Sequence, residues 1–142
     1  MKSKTIALAG ILMVLSGMGI ISWNQLNKRH ASTANLKADY SVTAAALLHE
    51  YNEQEALANK KYNDKIVEVD GEVMRVEATD SVKKITMGEW HSLTGVICEL
   101  SPDQNDRINK IEPGHHIKVK GVCTGMLMDV ILVRCVLMSR KD

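Results

Sequence analysis

Hydrophobic and polar positions alternate along the chain from Ile66 onward. Val67, Val69, Gly71 and Val73 share one parity, with Glu68, Asp70 and Glu72 on the other, the period-two pattern of a strand with one buried face. Beyond Gly71 the parity switches, because Met74 and Val76 carry the next apolar positions. A switch just past a glycine is what a bulge or sharp coil produces in a strand shared by both halves of a barrel, so Ile66 to Glu77 reads as a long first strand. After a turn at Ala78 to Ser81, Val82 to Met87 reads as a second strand with Ile85 and Met87 on one face. Gly88 to Ser92 is a loop holding Trp90 and His91. Thr94 to Leu100 is a third strand, with Val96, Cys98 and Leu100 facing opposite to Ile97 and Glu99. Ser101-Pro102-Asp103-Gln104 is a helix-start signal in which Ser101 caps, Pro102 takes the first turn and Gln104 closes a capping box. That short helix runs to Ile111 and stops at Pro113-Gly114. His116 to Cys123 alternates again as a fourth strand, Ile117, Val119, Gly121 and Cys123 against Lys118, Lys120 and Val122, and after a loop at Thr124 to Met128 a near-continuous apolar run, Asp129 to Met138, makes a fifth.

Upstream of the strands the period changes. Leu48, Tyr51, Ala58 and Tyr62 recur at helical spacing, Leu47 widens the stripe, and a helix is expected over 41–61. Glu55 falls inside that stripe and reads as a carboxylate at its rim or paired locally, since one acid without a partner makes no site. Further upstream, Thr5 to Trp23 contains no charged residue, and as a helix these nineteen residues would span roughly 28 Å, close to the hydrocarbon thickness of a bilayer. Lys2 and Lys4 flank one end, and Trp23, Lys28 and Arg29 the other, as interfacial anchors do. A cleaved signal peptide is the alternative, but the run is longer than a usual signal core and no clean small-x-small site follows it. Residues 1–23 are therefore expected to be a transmembrane anchor, 24–39 a polar tether, 40–138 the folded domain and 139–142 a tail. Flanking charges nearly balance, and the short basic N-terminus tips the orientation toward a domain on the extracytoplasmic, periplasmic side of an inner membrane.

Helix, three strands, short helix, two strands is the order of the mainly β, five-stranded Greek-key barrel called the OB-fold, with Gly71 and Gly121 letting the sheet curl shut. Several short pieces narrow the match: Ala58-Asn59-Lys60-Lys61-Tyr62-Asn63-Asp64-Lys65 leading into Val69-Asp70-Gly71-Glu72-Val73, then Val96-Ile97-Cys98, Pro113-Gly114, Val119-Lys120-Gly121-Val122-Cys123-Thr124-Gly125, and Asp129-Val130-Ile131-Leu132 with Cys135 behind it. Over about residues 40–138 the chain resembles the tRNA_anti-like family of OB-fold proteins, small bacterial proteins often carrying an N-terminal signal or membrane segment. The resemblance implies the barrel and brings no catalytic residues with it.

Charge limits the partners. Of the 18 Lys and Arg, four precede His30 and all 17 acidic residues follow it, so residues 31–142 carry a net charge of −3. With Phe absent, two Trp and three Tyr, both the basic patches and the stacking platforms of a nucleic-acid binder are scarce, which weighs against nucleic acid as a ligand. His115 and His116 are adjacent and point to opposite faces of a strand, and no Cys-x-x-Cys or His-x-x-x-His spacing occurs, so no metal or other cofactor is expected. No nucleophile, base and acid stand in a recognisable context, so the chain does not read as an enzyme. Cys98, Cys123 and Cys135 all take the inward parity and read as small buried residues. If the domain is exported, Cys135 could pair with Cys98 or with Cys123.

What remains is a binding surface. OB barrels bind across their second and third strands, which places Arg75, Lys84, Thr86, Trp90 and the 124–128 loop near one another. The plainer reading is that Lys84 and Thr86 form a solvated strand face and Trp90 covers one end of the barrel. The expectation is a membrane-anchored, noncatalytic binding or scaffolding module of the bacterial envelope with a protein, peptide or glycan ligand. A single-stranded nucleic-acid binder and a thiol redox protein are the alternatives.

Overall fold

The structure, a computed structural model, describes residues 33–79, 82–104 and 106–141. The apolar run from Thr5 to Trp23 and residues 24–32 of the expected tether lie outside these; among the described residues no helix is long and apolar enough to cross a membrane. The elements in order are β1 (Tyr40–Thr43), α1 (Ala44–Tyr62), β2 (Ile66–Ala78), β3 (Lys83–Met87), β4 (Val96–Leu100), β5 (His116–Met126) and β6 (Val130–Lys141). Short 3-10 turns lie at Thr33–Asn35, Pro102–Gln104 and Ile108–Lys110.

Strands β2 to β6 close a five-stranded barrel. Hydrogen bonding runs β2-β3-β4-β6-β5 and returns from β5 to β2. The β4–β6 pair is parallel and the other four pairs are antiparallel, so the Greek-key barrel expected from the element order is present. One strand makes closure possible. Ile66 to Glu72 of β2 pair with β5, whereas Val73 to Ala78 pair with β3. Between Val73 and Arg75 the register slips, Val73 facing Met87 and Arg75 facing Thr86, so Met74 is the extra residue of a β-bulge. Up to the bulge Val67, Val69, Gly71 and Val73 point inward; beyond it Val76 turns toward the core while Arg75 and Glu77 are exposed. Without the extra residue, simple alternation would drive Arg75 and Glu77 inside.

Gly71 and Gly121 meet different neighbours. A Cβ on Gly71 would lie 2.9 Å from the Cβ of Ala44, where α1 begins against the barrel. A Cβ on Gly121 would lie 2.4 Å from Cys135 Sγ and 3.1 Å from the Val133 carbonyl. Opposite Gly121, β6 is itself bulged, and Arg134 takes a left-handed φ of 54° there. The missing side chain of Gly121 is the space into which Cys135 packs.

Three expectations need correction. Tyr40–Thr43 is a strand, parallel to β2, where the helix had been expected to start near Ser41. The helix begins only at Ala44, because Thr43 is its N-cap and its Oγ1 accepts from the Ala46 N–H at 3.1 Å. Residues 101–111 hold two 3-10 turns in place of a helix with a capping box. The Ser101 carbonyl, not its hydroxyl, accepts from the Gln104 N–H, and the buried Gln104 side chain turns to Arg107 Nη1 and the Leu137 N–H. Residues 33–39 are no free tether, since they lie on the barrel. Thr33 is buried, and Asp39 brackets Ile66 with a backbone and a side-chain bond, both 2.8 Å. Lys120, 5 % exposed although it sits on the expected polar parity of its strand, donates to the Ala34 and Leu36 carbonyls at 2.9 and 2.7 Å.

Helix α1 packs on β2 and β5 through Ala44, Leu47, Leu48, Tyr51, Ala58 and Tyr62. Gln54 is non-helical (φ −150°, ψ 76°), and this kink carries Glu55 out of the apolar stripe into solvent. It also lets Glu50 reach Lys61, Nζ to Oε2 2.7 Å, although eleven straight helical residues would separate them by about 16 Å. Tyr62 donates to the other Glu50 oxygen at 3.0 Å, and Lys61 lies over the Tyr62 ring.

Two predictions follow from these contacts. Gly121→Ala should lower stability in denaturant titration by about 1–3 kcal/mol, the usual cost of overpacking, and adding Cys135→Ala should recover most of the loss. The Lys61 ammonium holds the Glu50 carboxyl below its ordinary 4.5, so the pair's contribution is complete above that pH and is lost as pH falls through the folded value. Denaturation midpoints measured between neutral and acid pH should therefore fall less steeply for Glu50→Gln than for the parent chain.

Candidate functional site

The bulge at Met74 aligns two rows of side chains, polar but for Ile97, on the outer face of β2, β3 and β4. In register, Arg75 faces Thr86 and Thr86 faces Ile97; Glu77 faces Lys84 and Lys84 faces Glu99. Above this face lies a groove of about 240 Å³, lined by Met74, Arg75, Glu77, Lys84, Thr86, Ile97, residues 92–95 of the β3–β4 loop, and Asp129. Arg75, Lys84 and Thr86 are thus brought together as the sequence suggested. Trp90 is not among the lining residues: its indole N–H donates to the Glu72 carboxylate, and the ring is 52 % exposed.

Asp129, Leu93 and Gly95 were missed. Asp129 Oδ1 accepts the Gly95 N–H at 2.7 Å, and Val130 N–H donates to the Gly95 carbonyl at 3.0 Å, fastening the β5–β6 turn to the end of the β3–β4 loop. A side chain on Gly95 would meet Thr86 Cγ2 at 2.7 Å, so the groove keeps its depth there because Gly95 has none. The Ser92 hydroxyl shapes the loop by donating to the Thr94 carbonyl at 2.8 Å. Leu93 stands 97 % exposed at the groove's edge, and Leu127 and Met128 are exposed in the adjoining turn. Apolar residues inside a polar, glycine-bracketed loop were the available signal.

The charges of this groove balance. Arg75 and Lys84 stand against Glu77 and Asp129, and Arg75 Nη1 lies 3.4 Å from Glu77 Oε1. Both partners of that pair are more than half exposed, so it holds neither side chain firmly. The Lys84 ammonium has no partner among the described residues. On the neighbouring β2–β5 face the charges are spent on one another: Lys118 Nζ lies 3.3 Å from Glu68, and His116 Nδ1 3.0 Å from Asp70. His115 faces elsewhere, its Nδ1 accepting the Glu112 N–H at 3.0 Å, so the two histidines do not converge. Among the described residues no group of three or more His, Cys, Asp or Glu could hold a metal ion.

Cys98, Cys123 and Cys135 are buried, free thiols. Tyr51 Oη lies 3.4 Å from Cys123 Sγ, and Cys135 contacts Cys98. Burial pushes the Cys135 thiol well above its usual range, with the Cys98 contact adding to the effect; burial and then Cys123 raise the Tyr51 hydroxyl. That is the reverse of the low-pKa, accessible thiol that redox chemistry needs.

The sequence pattern of the tRNA_anti-like family matches residues 1–137. No curated protein matches. Among solved structures, a proposed nucleic acid-binding lipoprotein from Klebsiella pneumoniae subsp. pneumoniae superposes with a TM-score of 0.57 at 13% identity, over 68% of this chain and 91% of its own. An OBody bound to hen egg-white lysozyme gives 0.45 at 13% identity, over 57% and 88% of the two chains. The S. pombe Stn1-ten1 complex gives 0.41 at 11% identity, over 51% and 57%. At these identities the first likeness is one of fold.

The Asp129–Gly95 bond ties two groove walls together and has a charged acceptor. Asp129→Ala should cost about 1–3 kcal/mol in denaturant titration and speed amide exchange at Gly95, whereas Asp129→Asn should retain most of both.

Proposed function

The chain belongs to the tRNA_anti-like family, and from that premise we propose a noncatalytic binding or scaffolding module that takes a protein, peptide or glycan ligand in the groove of Arg75, Lys84 and Thr86. In this reading residues 5–23 anchor the chain in an inner membrane and the barrel faces the extracytoplasmic side. The observation that carries the ligand reading is the groove itself, with its two cations, two carboxylates and two rows of outward side chains over the β2–β3–β4 face. It offers hydrogen bonds and balanced charge, and it lies on the face where OB barrels take ligands.

A single-stranded nucleic acid is the second reading, favoured by the binding proposed for the K. pneumoniae lipoprotein of like fold. A polyphosphate would have to lie beside Glu77 and Asp129 while only Arg75 and Lys84 neutralise it, so we place it second.

Two measurements separate these readings. Protease added to intact spheroplasts should digest the barrel, and protection of the barrel would overturn the extracytoplasmic placement. In a crosslinking pull-down from membranes, Arg75→Ala/Lys84→Ala should lose partners that the parent chain captures. Full retention would move the site elsewhere, and capture of oligonucleotides with an affinity that falls steeply with salt would favour the second reading.

A further inference from the structure

We propose that the ligand is an extended peptide lying across the β3–β4 loop, with a carboxylate over Arg75 and Lys84 and a basic group beside Glu89. The inference rests on the reading of the β2–β3–β4 face as the binding surface and goes on to name what occupies it. A second groove, of about 260 Å³, lies between the first half of α1 and the same loop, lined by His49, Asn52 and Glu89 together with Ser92 and Thr94. Ser92 and Thr94 line both grooves, so the two meet at the loop, with Leu93 projecting into solvent between them.

The unpaired charges of the two arms differ in sign. In the first, Arg75 lies beside Glu77 and Asp129 is bonded to the Gly95 N–H, which leaves the Lys84 ammonium; the other presents Glu89, whose carboxylate also has no partner among the described residues. Unpaired charges of opposite sign in two grooves that share Ser92 and Thr94 match a chain that carries opposite charges a few residues apart. An apolar side chain between them would cover Leu93 and the Met74 and Ile97 surface of the first groove, while Thr86 and Thr94 hydroxyls remain for main-chain amides. A nucleic acid would set a phosphate against Glu89. A neutral glycan would leave both unpaired charges uncompensated and Leu93 uncovered.

The test uses the full-length chain in dodecyl maltoside micelles and fluorescence anisotropy. The labelled, end-capped probes are Asp-Asp-Ser-Leu-Ser-Lys-Lys, its reverse Lys-Lys-Ser-Leu-Ser-Asp-Asp, an all-acidic and an all-basic version, an oligothymidylate and a maltoheptaose. One mixed-charge peptide should bind best. Lys84→Glu and Glu89→Lys should each weaken it about tenfold or more, the scale of a lost charged contact, and the double reversal should transfer the preference to the opposite charge order. Circular dichroism should show all three variants folded, as surface changes allow. Equal binding of the mixed and all-acidic peptides, or indifference to Glu89→Lys, would overturn the peptide assignment. Binding of the oligothymidylate or the glycan alone, lost on Lys84→Glu, would overturn it while leaving the groove as the site. Binding of any probe unchanged by Lys84→Glu and by Arg75→Ala would overturn both.

Discussion

One extra residue in one strand sets both the closure of this barrel and the chemistry of its outer face. Strand β2 must serve β5 with its first half and β3 with its second, and a regular strand of that length cannot do so while keeping one face apolar. The bulge at Met74 resolves the conflict by exchanging the two faces halfway along. Inside, Val73 and Val76 both reach the core despite their odd spacing; outside, Arg75 and Glu77 emerge beside Thr86 and Lys84. The groove is therefore a consequence of barrel closure.

Around that strand the rest of the molecule is close packing of small groups. Gly121 leaves room for Cys135, Gly71 for Ala44, and Gly95 for Thr86, so strand against strand, helix against sheet and loop against groove all depend on absent side chains. The cysteines fit the same logic as small buried residues. Lys120 works differently: a buried ammonium satisfied by two carbonyls fastens residues 33–36 to β5, so the folded unit begins several residues ahead of its first strand.

Much of this was legible in the residues. The parity break between Val73 and Val76 announced the bulge, and the binding face expected of an OB barrel grouped Arg75, Lys84 and Thr86. What escaped depends on distant partners or loop geometry. Tyr40–Thr43 is only four residues long and becomes a strand through parallel pairing with residues 67–70, which local periodicity does not reveal. Glu55 interrupting an apolar stripe was the trace of the kink at Gln54, read as a rim carboxylate without the break that moved it. Lys120 looked solvent-facing because alternation assigns a face without saying what covers it. Trp90 and Asp129 sit in turns, where sequence spacing carries little direction: one indole went to Glu72 and one carboxylate to Gly95.

The bulge can be tested without reference to any ligand. Nuclear Overhauser contacts between backbone protons of β2 and β3 should pair Val73 with Met87 and Arg75 with Thr86, leaving Met74 without a partner, while residues 66–72 show contacts to β5. A continuous register with Met74 seated opposite a β3 residue, and Arg75 and Glu77 turned to the core, would contradict both the closure and the groove built on it.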